Sequence, residues 1–291
     1  MALTEDIGAA DINEGTDCTT DAIVPKAAPA AAAFVSRESG VVCGVEVAKL
    51  AIKTFSPKIE LEVEIEDGSA VEPGQTIAVM RGSAHDILTM ERTCLNFLCR
   101  LSGISSLANR FAVEIGKSPT KILDTRKTTP GWRRLEKYAV ACGGGANHRM
   151  GLYDAIMIKD NHLAFYRSLV KDDSNTIPDA IAAARGWINQ NADSLPNGRK
   201  TVLQLEVDNL EQLAIALETD CDIVLLDNMN CELLTQAVTM RDKSAPKILL
   251  EASGGVNLST VKAIAATGVD RVSVGALTHS AINFDIGLDW R

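Results

Sequence analysis

Apolar and polar positions in the first part of the chain predict short strands around helices. Residues 45–55 have apolar positions at helical spacing. Residues 59–66 alternate strictly between apolar residues and glutamates, as expected of a half-buried strand with a charged outer face. Residues 85–115 again carry a helical apolar stripe, and we predict a break in this helix at Ser102-Gly103. The pattern up to residue 115 therefore indicates a small domain that mixes strands and helices.

After Gly116 the pattern changes to short apolar runs that end in polar residues and alternate with helical segments. The apolar runs cover residues 121–123, 155–158, 202–205, 223–226, 248–250 and 272–274. Repeated strand-then-helix units imply parallel strands, and polar residues gathered behind the strands favour an α/β barrel over an open doubly wound sheet. We place a catalytic barrel at residues 110–276 and a first domain at 1–109, to which residues 277–291 return.

Composition excludes several classes of protein. The 291 residues are 46% hydrophobic, which predicts a folded globular chain, and a formal net charge of -9 argues against wholesale binding to nucleic acid or to a membrane surface. The N-terminus has acids and no basic segment, and no apolar stretch is long enough to span a bilayer. Seven cysteines without a Cys-x-x-Cys pair predict thiols in a reducing compartment rather than disulfides or a zinc site, and hence a cytoplasmic protein.

Residues 124–162 reverse the overall charge, with seven Lys/Arg against four acids. A solvated helix face explains Arg133, Arg134 and Lys137. The other cationic candidates lie at strand ends or beside glycines, where they favour a pocket for a small polyanion with bidentate arginine contacts. These candidates are Arg126, Lys127, His148, Arg149 and Lys159.

Glycine-rich turns and acids follow the later predicted strands. Ser253-Gly254-Gly255 and, one unit later, Gly275 have the composition of loops that bind phosphate through backbone N–H groups, although two ordinary tight turns explain them nearly as well. Glu206 and Asp227 end consecutive strands. Two carboxylates so placed can hold Mg²⁺ together with substrate phosphates, act as a general acid and base, or cap the strands.

Seven motifs, in order over about residues 40–285, resemble those of the quinolinate phosphoribosyltransferase family of type II phosphoribosyltransferases. Two of them are Asp124-Thr125-Arg126-Lys127-Thr128-Thr129-Pro130-Gly131 and Ile158-Lys159-Asp160-Asn161-His162. The others fall at residues 91–104, 143–152, 225–228, 251–256 and 275–280. The resemblance implies an N-terminal α/β sandwich domain followed by an α/β barrel with parallel strands.

The resemblance also implies the activity: transfer of the phosphoribosyl group from phosphoribosyl pyrophosphate to quinolinate, with decarboxylation. The products are nicotinate mononucleotide, pyrophosphate and CO₂, in de novo NAD biosynthesis. Mg²⁺ is the implied cofactor. The implied assembly is a homodimer, or a hexamer, with active sites shared between subunits.

The resemblance assigns roles to particular residues. Its catalytic residues fall on Lys159, Glu206 and Asp227, and the two acids also face the metal indirectly, through pyrophosphate or water. Quinolinate binding falls on Arg92 of the partner subunit, Arg126, Lys127, His148, Arg149 and Lys159. Phosphoribosyl pyrophosphate binding falls on Glu206, Asp227, Ser253, Gly254, Gly255, Gly275 and His279.

Three features depart from the family pattern, and two other functions compete with the one implied. Extra residues separate 5–8 from 17–20, the stretch 163–178 is longer and lacks a glycine pair, and Gln204 stands where the family often has a glutamate. One alternative is a related phosphoribosyltransferase acting on nicotinate, although a monocarboxylate does not need so many cations. The other is a non-catalytic anion-binding or assembly protein, towards which only Gln204 points.

Overall fold

The computed structural model describes residues 2–8, 11, 14–170 and 176–291. The strands are β1 Pro29–Ser36, β2 Gly40–Val41, β3 Glu60–Val63, β4 Ala70–Val71, β5 Thr76–Ser83, β6 Lys121–Leu123, β7 Ile156–Ile158, β8 Leu203–Val207, β9 Ile223–Asp227, β10 Leu249–Ser253, β11 Arg271–Ser273 and β12 Ile286–Trp290. The helices are α1 Ala2–Ile7, α2 Cys18–Ile23, α3 Val45–Phe55, α4 Ala84–Ile115, α5 Arg133–Cys142, α6 Asp160–Val170, α7 Thr176–Gln190, α8 Leu210–Ala216, α9 Cys231–Ser244, α10 Val261–Ala266 and α11 Ala276–His279.

The chain divides into two compact units. The first comprises Met1–Asn109, Leu135–Gly144 and Ser280–Arg291, and the second comprises Arg110–Arg134 and Gly145–His279. This division differs from the predicted boundaries chiefly at α5, most of which belongs to the first unit. The reason lies in its contacts there, since Glu136 pairs with Arg100 at 2.8 Å and Tyr138 donates to Asp67 at 3.0 Å.

A four-stranded antiparallel sheet organises the first unit, in the order β12-β1-β5-β3. β1 lies between β12 and β5, with Ala32 opposite both Trp290 and Met80. Apolar residues of α3 and α4, among them Ile52 and Leu98, share one buried core with the strands. β3 is shorter than the predicted strand at 59–66, because the next two N–H groups both donate to one carbonyl, that of Ile77, and the regular ladder ends there.

α4 runs without interruption, so the predicted break at Ser102-Gly103 is wrong. Gly103 serves a close approach instead: a Cβ atom there would lie 2.0 Å from the carbonyl oxygen of Ile282. The Ser102 hydroxyl accepts from the Cys43 N–H at 2.9 Å and donates to the Cys43 carbonyl at 3.1 Å. Both residues therefore fit the helix against its neighbours.

A six-stranded parallel sheet organises the second unit, in the order β6-β11-β10-β9-β8-β7. This is the cyclic order of a barrel, and it confirms the predicted fold class of an α/β barrel beside an antiparallel sheet domain. Buried apolar residues such as Val224 and Leu226 fill the strands, as expected where both faces of a parallel sheet are covered. Among the described residues, β6 and β7 share no ladder. On the edge of β6 away from β11, the described residues show one isolated parallel bridge, between Leu123 and Ala146, and we call this break in the sheet the seam.

The predicted solvated helix face is correct only in part. Arg134 is exposed, but Lys137 is 1% exposed, because α5 is amphipathic and turns this residue inward together with Glu136. Arg133 is half-buried and donates to the Thr128 hydroxyl at 3.1 Å and to the Met150 carbonyl at 3.3 Å. Two of the three arginines and lysines assigned to solvent thus have structural contacts.

Several other expectations from the sequence can be compared with the structure. The seven cysteines are free thiols, and Cys43, Cys94 and Cys221 are buried. In the described part of the chain, no helix is both long enough and apolar enough to cross a membrane. The extra residues near the N-terminus and the longer stretch at 163–178 fall partly on residues 9, 10, 12, 13 and 171–175, which lie outside the described residues.

Candidate active site

A cavity of about 720 Å³ lies at the carboxyl ends of the parallel strands of the second unit. Because the strands are parallel, the polar residues behind them meet at one edge of the sheet. Twelve of the thirteen predicted site residues line this cavity: Arg126, Lys127, His148, Arg149, Lys159, Glu206, Asp227, Ser253, Gly254, Gly255, Gly275 and His279. The structure thus assembles the predicted site, while the role of each residue stays a prediction.

The loop after β6 carries two of the cations. Its backbone is fixed by short contacts: the Lys127 N–H donates to the Thr125 hydroxyl at 3.1 Å, and the Thr128 N–H donates to the Arg126 carbonyl at 2.9 Å. The Thr278 hydroxyl donates to the Lys127 carbonyl at 2.7 Å. The loop backbone is therefore tied down, and the side chains of Arg126 and Lys127 reach the cavity.

Arg149 is half-buried and held from behind. One guanidinium nitrogen donates to the Ala155 carbonyl at 3.0 Å, and another lies 3.6 Å from the Met157 sulfur. Burial, and after it the positive charge of Arg126, lowers the pKa of Arg149. Two arginines that repel each other in one cavity favour an anionic ligand, because an anion relieves the repulsion.

His148 is buried and fixed by three contacts. The backbone N–H of His148 donates to the Asp124 carboxylate at 2.8 Å. Asp124 follows β6 and is fully buried. The backbone N–H of Arg149 donates to His148 Nδ1 at 2.7 Å, and His148 Nε2 lies 3.3 Å from Glu251 Oε1. Because Nδ1 accepts, we assign the proton of the neutral ring to Nε2.

Glu251 is a buried carboxylate of β10 that contacts two cationic or protonated groups. Its Oε1 faces His148, and its Oε2 lies 2.9 Å from Arg271 Nε. Burial is the largest influence on this carboxyl and raises its pKa. The contact with the His148 ring and the charge of Arg271 outweigh it and hold the pKa of Glu251 below its usual range. Glu251 is therefore an ionised group inside the barrel.

Two further carboxylates end neighbouring strands. Glu206, on β8, accepts from the ammonium of Lys159, which follows β7. Asp227, at the end of β9, accepts from the Asn228 side-chain amide at 2.7 Å. No group of three or more His, Cys, Asp or Glu capable of holding a metal ion occurs among the described residues. The carboxylate oxygens of Glu206 and Asp227 are of the type that a hard cation prefers.

The loops after β10 and β11 bring backbone close to the cavity. Gly254 has φ +94°, and a Cβ there would lie 2.0 Å from the Asn228 side-chain oxygen. Gly255 has φ +62° and open space beside it, so its place in the cavity wall is set by backbone conformation. A Cβ at Gly275 would lie 3.1 Å from both His279 and Lys127. These glycines leave room for a ligand to contact backbone N–H groups.

Two residues singled out by sequence do not line the cavity. Arg92 is an exposed residue of α4 in the first unit, and it is not among the described residues around the cavity. Gln204 is buried on β8, two residues before Glu206, and is likewise absent from the described lining. Gln204 therefore belongs to the barrel interior rather than to the surface that meets a ligand.

Other lining residues had no role in the sequence-based site. Glu251 directly follows the apolar run at 248–250, and an acid in that position is the available signal. Asn228 ends the motif at 225–228 and has no separate role in the sequence-based site; it adopts φ 53°, rare for a residue with a side chain. The other residues not predicted are Thr125, Met157, Leu225, Val256, Ser273 and Ala276.

Comparison with known proteins gives a consistent result. Residues 17–102 match the family described as "Quinolinate phosphoribosyl transferase, N-terminal domain", and residues 104–289 match the C-terminal domain of the same family. The chain is 42% identical over 281 residues, covering 96% of itself and 93% of the relative, to nicotinate-nucleotide pyrophosphorylase (carboxylating) of Mycobacterium leprae. It is 36% identical to quinolinate phosphoribosyltransferase (decarboxylating) 1b of Nicotiana tabacum, over 99% of this chain and 80% of that one. Among solved structures, the nicotinate-nucleotide pyrophosphorylase of Francisella tularensis matches 100% of this chain and 93% of that one, with a TM-score of 0.85 and 36% identity.

Proposed function

The chain belongs to the quinolinate phosphoribosyltransferase family, and from that premise we propose how its residues divide the reaction between them. It is an enzyme that transfers the phosphoribosyl group of phosphoribosyl pyrophosphate to quinolinate with decarboxylation, in de novo NAD synthesis. One observation carries the division: four Lys/Arg side chains meet carboxylates and glycine-rich backbone in a single cavity. A dicarboxylate and a polyphosphate are the ligands that such a lining suits.

The cationic side of the cavity binds quinolinate. Arg126 and Lys127 follow β6, His148 and Arg149 precede β7, and Lys159 follows it, so these residues lie on both sides of the seam. Two carboxylates on one aromatic ring can satisfy several of these groups at once, with the arginines as bidentate partners. Nicotinate has only one carboxylate and would leave part of this set without an anion.

The opposite side of the cavity binds phosphoribosyl pyrophosphate. The loop at Ser253-Gly254-Gly255 and the turn at Gly275 offer backbone N–H groups to the 5′-phosphate, with His279 nearby. Glu206 and Asp227 face the ribose. Lys159 contacts Glu206, and so joins the quinolinate residues to the ribose residues.

Mg²⁺ fits this donor set as a partner of the pyrophosphate. Glu206 and Asp227 would hold the ion through their carboxylate oxygens, directly or through water, together with oxygens of the substrate. When bound, the ion neutralises charge on the leaving pyrophosphate. The side chains and backbone N–H groups of the protein bind and orient the two substrates.

The reaction requires charge stabilisation at three points. As the bond from C1 of the ribose to pyrophosphate breaks, the sugar gains oxocarbenium character, which nearby Glu206 and Asp227 stabilise. The quinolinate nitrogen then attacks C1 and becomes a pyridinium. The adjacent carboxylate then leaves as CO₂, and the electron pair of the broken C–C bond remains on the ring carbon next to the cationic nitrogen. A proton from water binds to that carbon and completes the product. The protein acts mainly by positioning the two substrates and neutralising their charges.

The assembly we propose is a homodimer, or a hexamer built from it, in which Arg92 of each subunit completes the other subunit's site. The family resemblance assigns Arg92 to quinolinate binding. The support for sharing is that Arg92 is exposed, so its side chain is accessible to a partner subunit. We place the enzyme in the cytoplasm. In support, its cysteines are free thiols, as a reducing compartment would keep them.

A product assay tests the proposal directly. Purified protein is incubated with quinolinate carrying ¹³C in the carboxylate next to the ring nitrogen, phosphoribosyl pyrophosphate and Mg²⁺, and the products are followed by NMR and mass spectrometry. We expect nicotinate mononucleotide, pyrophosphate and labelled CO₂ in equal amounts. Nicotinate mononucleotide formed from nicotinate but not from quinolinate would favour the nicotinate alternative, and binding of both substrates without turnover would favour a non-catalytic protein.

A further inference from the structure

The third carboxylate of the cavity has no place in the chemistry described so far. Glu206 and Asp227 face the sugar, whereas Glu251 is completely buried on the same barrel wall. An ionised carboxylate beside a pocket for a dianion opposes ligand binding by simple electrostatics. Its presence therefore requires a function other than contact with the substrate.

The contacts of Glu251 indicate that function. One oxygen lies 3.3 Å from His148 Nε2, and the other lies 2.9 Å from Arg271 Nε. The opposite ring nitrogen of His148 accepts from the Arg149 backbone N–H at 2.7 Å, so the ring has a hydrogen bond on one edge and the Glu251 carboxylate on the other. The backbone of His148 is held separately, by Asp124.

Arg271 approaches from the other end of the barrel. It begins β11 and lines a second cavity, of about 740 Å³, formed at the amino ends of the strands by residues that include Ile223 and Leu249. Among the described residues that line the catalytic cavity, Arg271 is absent. It therefore contacts Glu251 from the side away from the substrates.

We propose that Glu251, itself held by Arg271, is a positioning residue that keeps the His148 ring in the orientation and tautomer in which it meets quinolinate. Arg271 supplies the charge that allows a carboxylate to stay buried at this point. The arrangement resembles that in other enzymes where a carboxylate fixes one nitrogen of an imidazole. The inference rests on the proposed role of His148 in quinolinate binding.

The direction in which the quinolinate KM changes in one variant separates this proposal from a purely electrostatic role. Glu251→Gln removes a negative charge, so a purely electrostatic role predicts tighter binding of the dianion. Positioning predicts the opposite: the KM for quinolinate rises by about tenfold or more, as for loss of a hydrogen bond to a charged group, while the KM for phosphoribosyl pyrophosphate changes little. Arg271→Met is expected to change the quinolinate KM in the same direction and by less.

A double-mutant cycle tests whether the effect passes through His148. The quinolinate KM of Glu251→Gln is compared in the native and His148→Ala backgrounds. Because the two residues act as a unit, we expect the Glu251→Gln effect to be largely lost once His148 is gone. Equal effects in both backgrounds, or an unchanged or lowered KM in Glu251→Gln itself, would overturn the proposal.

A matched control separates positioning from general damage to the barrel. Arg185→Met removes another partly buried ion pair of the same unit, Arg185 with Asp222 at 3.1 Å, and neither residue lines the catalytic cavity. It should lower the thermal midpoint and leave the quinolinate KM unchanged. If Arg185→Met raises that KM as much as Glu251→Gln does, the positioning role is refuted.

A spectroscopic measurement reports the state of the His148 ring without the need for turnover. It therefore also applies to variants that have lost activity. The chain has four histidines, so ¹⁵N-labelled imidazole spectra can be assigned by substitution. We expect native His148 to show a protonated Nε2, and Arg271→Met or Glu251→Gln to change its ring signals but not those of His85. Unchanged His148 signals would overturn the proposal. Failure of the native enzyme to use quinolinate would instead overturn the proposed function, so the two failures are distinguishable.

Discussion

At the scale of single residues, the site combines groups that the sequence exposes with groups that only the fold brings together. Lys159 and Arg126 stand behind short apolar runs, and a residue so placed in a barrel faces the cavity, so their location could be predicted. The contact of Glu251 with His148 joins residues a hundred positions apart. Nothing in local pattern encodes such a distance, and it could not be predicted.

Removal of a cation from the quinolinate side should abolish turnover. Lys159→Ala and Arg126→Ala each remove a charge that lines the cavity, whereas their backbones remain in place, so we expect loss of activity without loss of fold. Steady-state kinetics and circular dichroism measure the two properties. Lys262→Ala, which breaks only a 3.9 Å surface pair with Glu114, is the control and should be fully active. Near-native kinetics in either cavity variant would show that the pocket has been assigned wrongly.

Quinolinate should be preferred over nicotinate by several orders of magnitude in kcat/KM. With one carboxylate missing, cations of the partly buried set around Arg149 lose their anion, at a cost of ~1–3 kcal/mol for each buried group left unsatisfied. Competition between the two acids in one reaction mixture measures the ratio. Comparable turnover of both acids would contradict the assignment of the substrate.

Activity should depend strictly on Mg²⁺ or Mn²⁺. The leaving pyrophosphate carries negative charge that the ion would neutralise, so removal of the ion by a chelator is expected to stop turnover. Titration of activity against free Mg²⁺ measures this dependence, with re-addition of the ion after EDTA as the control. Full activity in excess chelator would contradict this prediction.

At the scale of elements, the sequence predicts where strands end better than where a long helix continues. The parallel strands are bounded by polar residues that also line the cavity, so one signal marks both structure and site. At Gly103 the same residue type that ends helices elsewhere lies in the middle of α4. Its reason is a neighbouring backbone from residue 282, which local sequence does not reveal.

Gly103→Ala should therefore destabilise the protein strongly. The added methyl group would overlap the Ile282 carbonyl, and overpacking against backbone costs about 3 kcal/mol. Gly186→Ala is the matched control, since Gly186 also lies inside a helix, α7, but has no atom within 4 Å of an added Cβ. That variant should gain ~0.5–1 kcal/mol from helix propensity. Thermal unfolding of the two variants gives the comparison, and a lower midpoint for Gly186→Ala than for Gly103→Ala would contradict it.

At the scale of the whole molecule, one predicted residue lies apart from the rest. Twelve site residues belong to the second unit, and Arg92 belongs to the first. In a two-fold dimer, each subunit can supply this arginine to its partner, so that both sites are completed in trans. The chain sequence alone indicates this only through the family resemblance.

Subunit complementation tests the sharing of sites. Inactive Arg92→Ala protein is mixed with inactive Lys159→Ala protein under conditions that allow exchange. A mixed dimer has one site with both defects and one with neither. Random mixing should then restore about a quarter of the sites, because half the dimers are mixed. If exchange is demonstrated by mass spectrometry and no activity returns, Arg92 acts within its own chain.

The seam between β6 and β7 separates two groups of residues along the wall of the cavity. The loops that we propose bind quinolinate flank the seam. The residues that we propose bind the sugar and phosphates belong to β8–β11 and the turns behind them, and the ladders between these strands fix their register. An insertion or deletion between residues 124 and 155 therefore leaves that register intact. A change in the loops beside the seam should therefore alter which aromatic acid is bound, while the strands that we propose for the sugar keep their pairing.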